Sequence, residues 1–148
     1  MTEIEFHANV PEKLHFSCRL LRKVIRSGAK AIVVADSATL GGLDRLLWDF
    51  SSTDFLPHCL VSAPEATRSA TPVLLLEQLG QLGEHPGSSV LINLGHQVPA
   101  YFEQFERLIE IASAESDDRL AALGRWKHYK ARGYALKSHD ANPAKATV

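Results

Sequence analysis

Apolar positions along the chain fall into short runs separated by longer stretches of helical spacing. The run 3-EIEFHA-8 alternates as a half-buried strand does. From Lys13 to Ser27 the positions Leu14, Phe16, Cys18, Leu21, Val24 and Ile25 fall mostly on one helix face. Pro11 fits the first turn of that helix and Gly28 its end. The segment 31-AIVVAD-36 is short, apolar and rich in β-branched residues, which predicts a buried parallel strand. Asp36 or Ser37 then caps a second helix carrying Leu40, Leu43, Leu46, Leu47 and Phe50.

Residues 51–72 read mostly as loop, with 59-CLVS-62 as a short strand. Two apolar runs follow, 72-PVLLLE-77 and 88-SSVLINL-94, separated by the glycine- and proline-bearing loop 80-GQLGEHPG-87. A short helix is expected over 99–105. The run 107-RLIEIA-112 fits either an extension of that helix or a strand, and its β-branched content favours the strand. A last helix starts at Asp117 or Asp118 and runs to about Arg132, stopped by Gly133. Strand and helix alternate throughout. The expected fold is therefore α/β: a single open, mostly parallel sheet with helices on both faces. One domain is expected over 1–137. Residues 138–148 have little to bury and are expected to form a disordered tail.

The 148-residue length is one domain's worth, and 45% hydrophobic with 22% charged residues suits a packed core. No apolar run is long enough to cross a bilayer. The N-terminus lacks the basic and apolar regions of a signal peptide. Cys18 and Cys59 suit reduced thiols better than a disulfide framework, so a cytoplasmic protein is expected. A net charge of −1 argues against a protein that holds nucleic acid mainly by charge. The charge is uneven, however. Between Arg119 and Lys137 lie Arg119, Arg125, Lys127, Lys130, Arg132 and Lys137, with no acid among them. Such a stretch is either a solvated helix face or a surface for an acidic partner.

The chemistry of known active sites is missing from the sequence. The turns 7-HANVPEK-13 and 35-ADSATLGG-42 do not carry a glycine-rich phosphate loop, and Gly41-Gly42 falls inside the second helix. The seven histidines form no H-E-x-x-H pattern, and the cysteines lack zinc-finger spacing. Cys59 beside His58 is a weak nucleophile–base pair, because sequence neighbours seldom face each other. Neither catalysis, a cofactor nor a metal is expected.

Two aromatic segments remain. In 47-LWDFSSTDFLPHCL-60, Trp48 and Phe55 either close the core or form a binding surface. In 125-RWKHYKARGY-134, Trp126, Tyr129, Lys130 and Gly133 follow i, i+3, i+4, i+7 spacing. An aromatic flanked by cations can hold an acidic peptide or stack on bases; the same pattern also arises when the aromatics are core and the lysines face water.

These segments, with 20-LLRKVIRSGAKAIVVAD-36, 43-LDRLLW-48 and 54-DFLPHCL-60, make the chain similar to the chi subunits of bacterial DNA polymerase III. The resemblance covers the chain to about Asp140. It implies an α/β fold without a phosphate loop and no catalysis. It further implies an adaptor in the DNA polymerase III holoenzyme during DNA replication. Such a protein binds the acidic C-terminal tail of single-stranded-DNA-binding protein, which ends in a Pro-Phe carboxylate. It also binds the psi subunit of the clamp loader, and its contact with single-stranded DNA is indirect. Carried over by residue, the tail site comprises Arg125, Trp126, Lys127, Tyr129, Lys130 and Gly133. Trp126 walls the Phe pocket, and Arg119 or Arg125 is the substitute for a family cation missing from this chain. The psi interface comprises Trp48, Phe55, Leu56, Pro57 and His58. The chain departs from the family pattern at Leu123, where relatives have arginine, and at Ala112-Ser113, where a Val-Pro pair lines the pocket in relatives. The alternative reading is a direct single-stranded nucleic-acid binder that stacks bases on Trp126 and Tyr129.

Overall fold

The computed structural model describes residues 2–49, 56–60, 62–82 and 90–141. Seven strands of these residues form one sheet: β1 (Glu3–Val10), β2 (Ala31–Val34), β3 (His58–Leu60), β4 (Val73–Leu76), β5 (Val90–Asn93), β6 (Arg107–Ser113) and β7 (Leu136–Asp140). Their order across the sheet is β3-β4-β2-β5-β6-β1-β7, and every neighbouring pair is parallel. Four α-helices accompany them: α1 (Lys13–Arg26), α2 (Ser37–Asp49), α3 (Glu65–Ala70) and α4 (Ser116–Ala131).

Parallel pairing demands crossovers, and helices on both faces bury the sheet twice. The central strands are apolar at nearly every position for that reason. On one face Val33, Val73, Leu75, Ile92, Ile109 and Ile111 pack with Leu21 and Val24 of α1 and Leu43 and Leu47 of α2. On the other, Ile4, Phe6, Leu74, Leu76, Leu91 and Leu108 pack with Ala122 and Tyr129 of α4 and with Phe102 and Phe105. The expected α/β class and sheet architecture hold.

Two helix ends rest on glycine. Gly28 after α1 and Gly133 after α4 have φ of +87° and +84°, the left-handed region that a side chain disfavours. Asn9 adopts a φ of 57° near the end of β1. There His7 pairs with Ile111 but Val10 with Ser113, so β1 carries one extra residue. The bulge reverses the alternation of the strand. Phe6 faces α4, whereas Val10 joins the core beneath α1.

Several local expectations need correction. Residues 51–72 are not all loop, since Glu65–Ala70 form α3; residues 50–55, Phe55 among them, lie outside the described residues. Pro11 precedes α1 rather than entering its first turn, and Glu12 is the N-cap. The helix expected over 99–105 is a single 3₁₀ turn, Phe102–Gln104, reached through Tyr101 at a φ of 69°. The domain does not stop at residue 137. Strand β7 runs to Asp140, pairing Ser138 with Phe6 and His139 with His7. Backbone pairing to β1 orders 138–140 despite their polar side chains, and residues 142–148 lie outside the described residues.

Candidate functional site

Helix α4 is seated on a buried polar knot. Glu110, in the middle of the otherwise apolar β6, is completely buried. Its carboxylate accepts from Arg125 Nε at 3.0 Å, from Tyr129 Oη at 2.6 Å and from Asn93 Nδ2 at 3.0 and 3.2 Å. Burial pushes the Glu110 pKa up, opposed first by the charge of Arg125 and then by these hydrogen bonds. All three neighbours donate, which suits an ionised acceptor. Arg125 also donates through Nη1 to His96 O at 2.9 Å. Burial, the charge of Glu110 and their hydrogen bond push the Tyr129 hydroxyl far up, so it stays protonated.

A second anchor fixes the start of α4. Asp118 accepts from Ser113 N at 2.7 Å and from Lys13 Nζ at 3.0 Å. Burial alone would raise its pKa, but the Ser113 bond and Lys13 outweigh burial and hold it below the usual value. Together the two anchors leave one long side of α4 facing solvent.

Beside that side lies a groove of about 470 Å³. Phe6, Ala8 and Asn9 of β1, Ala112 of β6 and Ser138 of β7 form its floor and far wall. Arg119, Leu120, Ala122, Leu123 and Trp126 of α4 form the near wall. Trp126 is half-buried and meets Phe6 edge-on, with ring centroids 5.2 Å apart. Leu120 and Leu123 stay exposed at the lip, and Arg119 is the cation of the lining. Lys127 and Lys130 are exposed one and two turns further along α4. An apolar slot with one cation at its wall and others beyond it suits an aromatic side chain next to a carboxylate.

The residues expected here thus divide. Trp126 and Arg119 line the groove; Lys127 and Lys130 flank it; Gly133 ends the helix outside it. Arg125 and Tyr129 are corrected: they are 2% and 0% exposed and face Glu110 beneath the helix, so they cannot touch a surface ligand. Sequence reading missed Glu110, whose signal was a lone acid inside an apolar strand run. It also missed Phe6, Ala8, Asn9, Leu120 and Ser138, which carry no motif.

The second expected surface sits at the far edge of the sheet. Trp48 at the end of α2 is 59% exposed, and Pro57 is exposed near it in sequence. Leu56 and His58 are buried, which corrects their reading as contact residues. His58 meets the Trp48 ring edge-on at 5.3 Å. Its Nδ1 lies 2.6 Å from Leu56 O and its Nε2 3.0 Å from Asp44 Oδ1. Those contacts hold the base of Trp48.

A larger cleft of about 1040 Å³ opens at the C-terminal ends of β2 and β5, where many α/β sheets bind ligands. Asp36 occupies the start of α2 there, its Oδ1 accepting from Thr39 N at 2.7 Å. That bond holds the Asp36 carboxyl below its usual range. A carboxylate therefore stands where a phosphate would meet the helix N-terminus. Among the described residues, no group of three or more His, Cys, Asp or Glu is arranged to hold a metal ion.

A family model described as DNA polymerase III chi subunit, HolC, matches residues 1–137. The chain belongs to the DNA polymerase III chi subunit family. The curated DNA polymerase III subunit chi of Pseudomonas aeruginosa is 33% identical over 146 residues, covering 94% of this chain and 96% of that one. The C-terminal domain of the DEAD-box protein Dbp5 superposes with a TM-score of 0.66 at 12% identity, covering 99% of this chain and 94% of that one. That likeness extends to the fold alone. Chi subunits are accessory members of DNA polymerase III, which places the chain in DNA replication. Of the positions read from the sequence as departures from relatives, Leu123 and Ala112 line the groove, whereas Ser113 lines the larger cleft.

Proposed function

We propose that this chi-family protein is a non-catalytic adaptor that captures the acidic C-terminal tail of single-stranded-DNA-binding protein in the α4–β1 groove. One observation carries the reading: Trp126 and Arg119, assigned to the tail site by resemblance, line one apolar slot, together with Ala112 and Leu123, which stand where relatives carry other pocket residues. The terminal Phe enters the slot against Trp126 and Leu123. Its carboxylate pairs with Arg119, the substitute for the arginine that Leu123 replaces. Upstream aspartates face Lys127 and Lys130. A single buried Phe with two or three charge-assisted contacts supports affinity of about −8 kcal/mol, in the micromolar range. Many tails on a coated strand then add avidity.

The Trp48 edge is proposed to face the psi subunit and so link the protein to the clamp loader. Contact with single-stranded DNA is then indirect, and the protein works in the cytoplasm. The alternative, direct base stacking on Trp126 and Tyr129, is weakened because Tyr129 lies under the helix.

The test is fluorescence anisotropy with a labelled acidic peptide ending in Asp-Ile-Pro-Phe. Micromolar binding that disappears in Trp126→Ala, weakens in Lys127→Ala and requires the terminal Phe supports the adaptor. Binding of a bare oligonucleotide with no binding of the peptide sinks it in favour of stacking.

A further inference from the structure

The tail-docking reading leaves the residues upstream of the terminal Phe without a path, and the sheet edge offers one. Among the described residues, no strand lies beyond β7, which pairs with β1 on one side only. Ala141 N donates to Ala8 O at 2.9 Å, so by strand alternation the backbone groups of Leu136 and Ser138 point away from β1. Ser138 also lines the groove. The groove and the free edge of β7 are thus continuous.

Direction follows from topology. Helix α4 is the crossover between parallel strands and runs antiparallel to β7. Along its open side Arg119, Leu120 and Leu123 lie at the end near the finish of β7. Lys127 and Lys130 lie toward its start, and Lys137 stands exposed on β7 itself. From Leu120 to Lys130 is roughly 15 Å at helical rise, which four to five extended residues span. An acidic chain whose terminus sits at Arg119 therefore meets three cations as it runs back along β7. We propose that this acidic segment, resting on the tail-docking reading above, pairs with the outer edge of β7 as an eighth, parallel strand. Backbone hydrogen bonds then hold it irrespective of its exact sequence, and the cations select acidic tails.

The test compares two acidic peptides ending in Asp-Ile-Pro-Phe. Their side chains and charge are identical, but one is N-methylated at alternate residues upstream of the isoleucine. Binding is read by anisotropy, and amide hydrogen exchange is followed at Leu136 and Ser138. The expected result is affinity at least tenfold lower for the methylated peptide, with new protection at both amides under the unmodified one. Equal affinity of the two peptides, abolished for both by Trp126→Ala, overturns strand addition and leaves groove docking standing. Weaker binding without protection at β7 overturns it as well. Failure of both peptides to bind removes the groove reading and this one together.

Discussion

Arg125 Nε lies 3.0 Å from Glu110 Oε1, with both side chains shut away from water between α4 and β6. The pair ties α4 to β6 and so sets the height of the groove wall. Breaking one half leaves a buried charge without its partner. Arg125→Ala is expected to cost about 3–5 kcal/mol. Replacing both charges, as in Glu110→Leu with Arg125→Met, should recover only part of that loss: neither charge then needs desolvation, but the buried Tyr129 hydroxyl loses its acceptor. Urea unfolding of the two singles and the double gives the coupling. Singles no worse than the double would mean that the pair does not hold the helix.

Leu123 and Arg119 make opposite predictions at the groove. Leu123→Arg restores the arginine of relatives one turn from Arg119 and should tighten binding of the acidic peptide about fivefold to tenfold. Arg119→Ala should weaken it by a similar factor. Charge-assisted contacts are worth roughly 1.5–3 kcal/mol, and solvent on this open side of α4 brings the effect below that range. Both changes should shrink as salt is raised. An Arg119→Ala protein that binds as tightly as the parent would place the carboxylate beside Lys127 instead.

The regular part of this fold is legible because burial on both faces forces apolar runs such as 73-VLLL-76 and 90-VLIN-93. Strand β7 is not legible. Its residues 136-LKSHD-140 are held by backbone pairing to β1, which leaves no hydrophobic signature in an edge strand. The helical spacing of 125-RWKHYKARGY-134 marks a candidate helix but cannot say which side is buried. That depends on Glu110, on β6 and 15 residues before Arg125, which draws Arg125 and Tyr129 inward and turns Trp126 to the lip. Four of the eleven residues lining the candidate groove come from β1 and β7, whose Ala8, Asn9 and Ser138 are ordinary residues made relevant only by position.

Trp48 offers a separable test of the second surface. It stands 59% exposed and rests on the edge of His58, so Trp48→Ala should change stability by no more than about 0.5 kcal/mol. Co-purification with the psi subunit should fall sharply in that variant, while anisotropy with the acidic peptide stays unchanged. Loss of psi association in Trp126→Ala but not in Trp48→Ala would move the psi interface to the groove.

Stability should fall on mild acidification through the far side of β1. His7 stacks on His139 of β7, with centroids 4.9 Å apart, and both face Glu5. Burial lowers the His7 pKa below 6.5. The Glu5 charge opposes that shift, while His139, Lys23 of α1 and Arg107 of β6 add to it. Burial raises the Glu5 pKa, but its bond to Arg107 and the neighbouring positive charges more than offset this, so Glu5 remains a carboxylate across the window. The fold thus favours neutral His7, and the unfolded chain takes up the proton more readily. This contribution is present above pH 6.5 and is lost as pH falls through 6.5 toward the lower folded value. Urea midpoints measured between pH 7.5 and about pH 5 should decline, and His7→Gln should flatten the decline. Because His139 belongs to β7, protection of the Ala141 amide, which donates to Ala8 O, should fall over the same interval in the parent and not in His7→Gln. A midpoint independent of pH in both proteins would show that the histidine stack does not secure the edge strand.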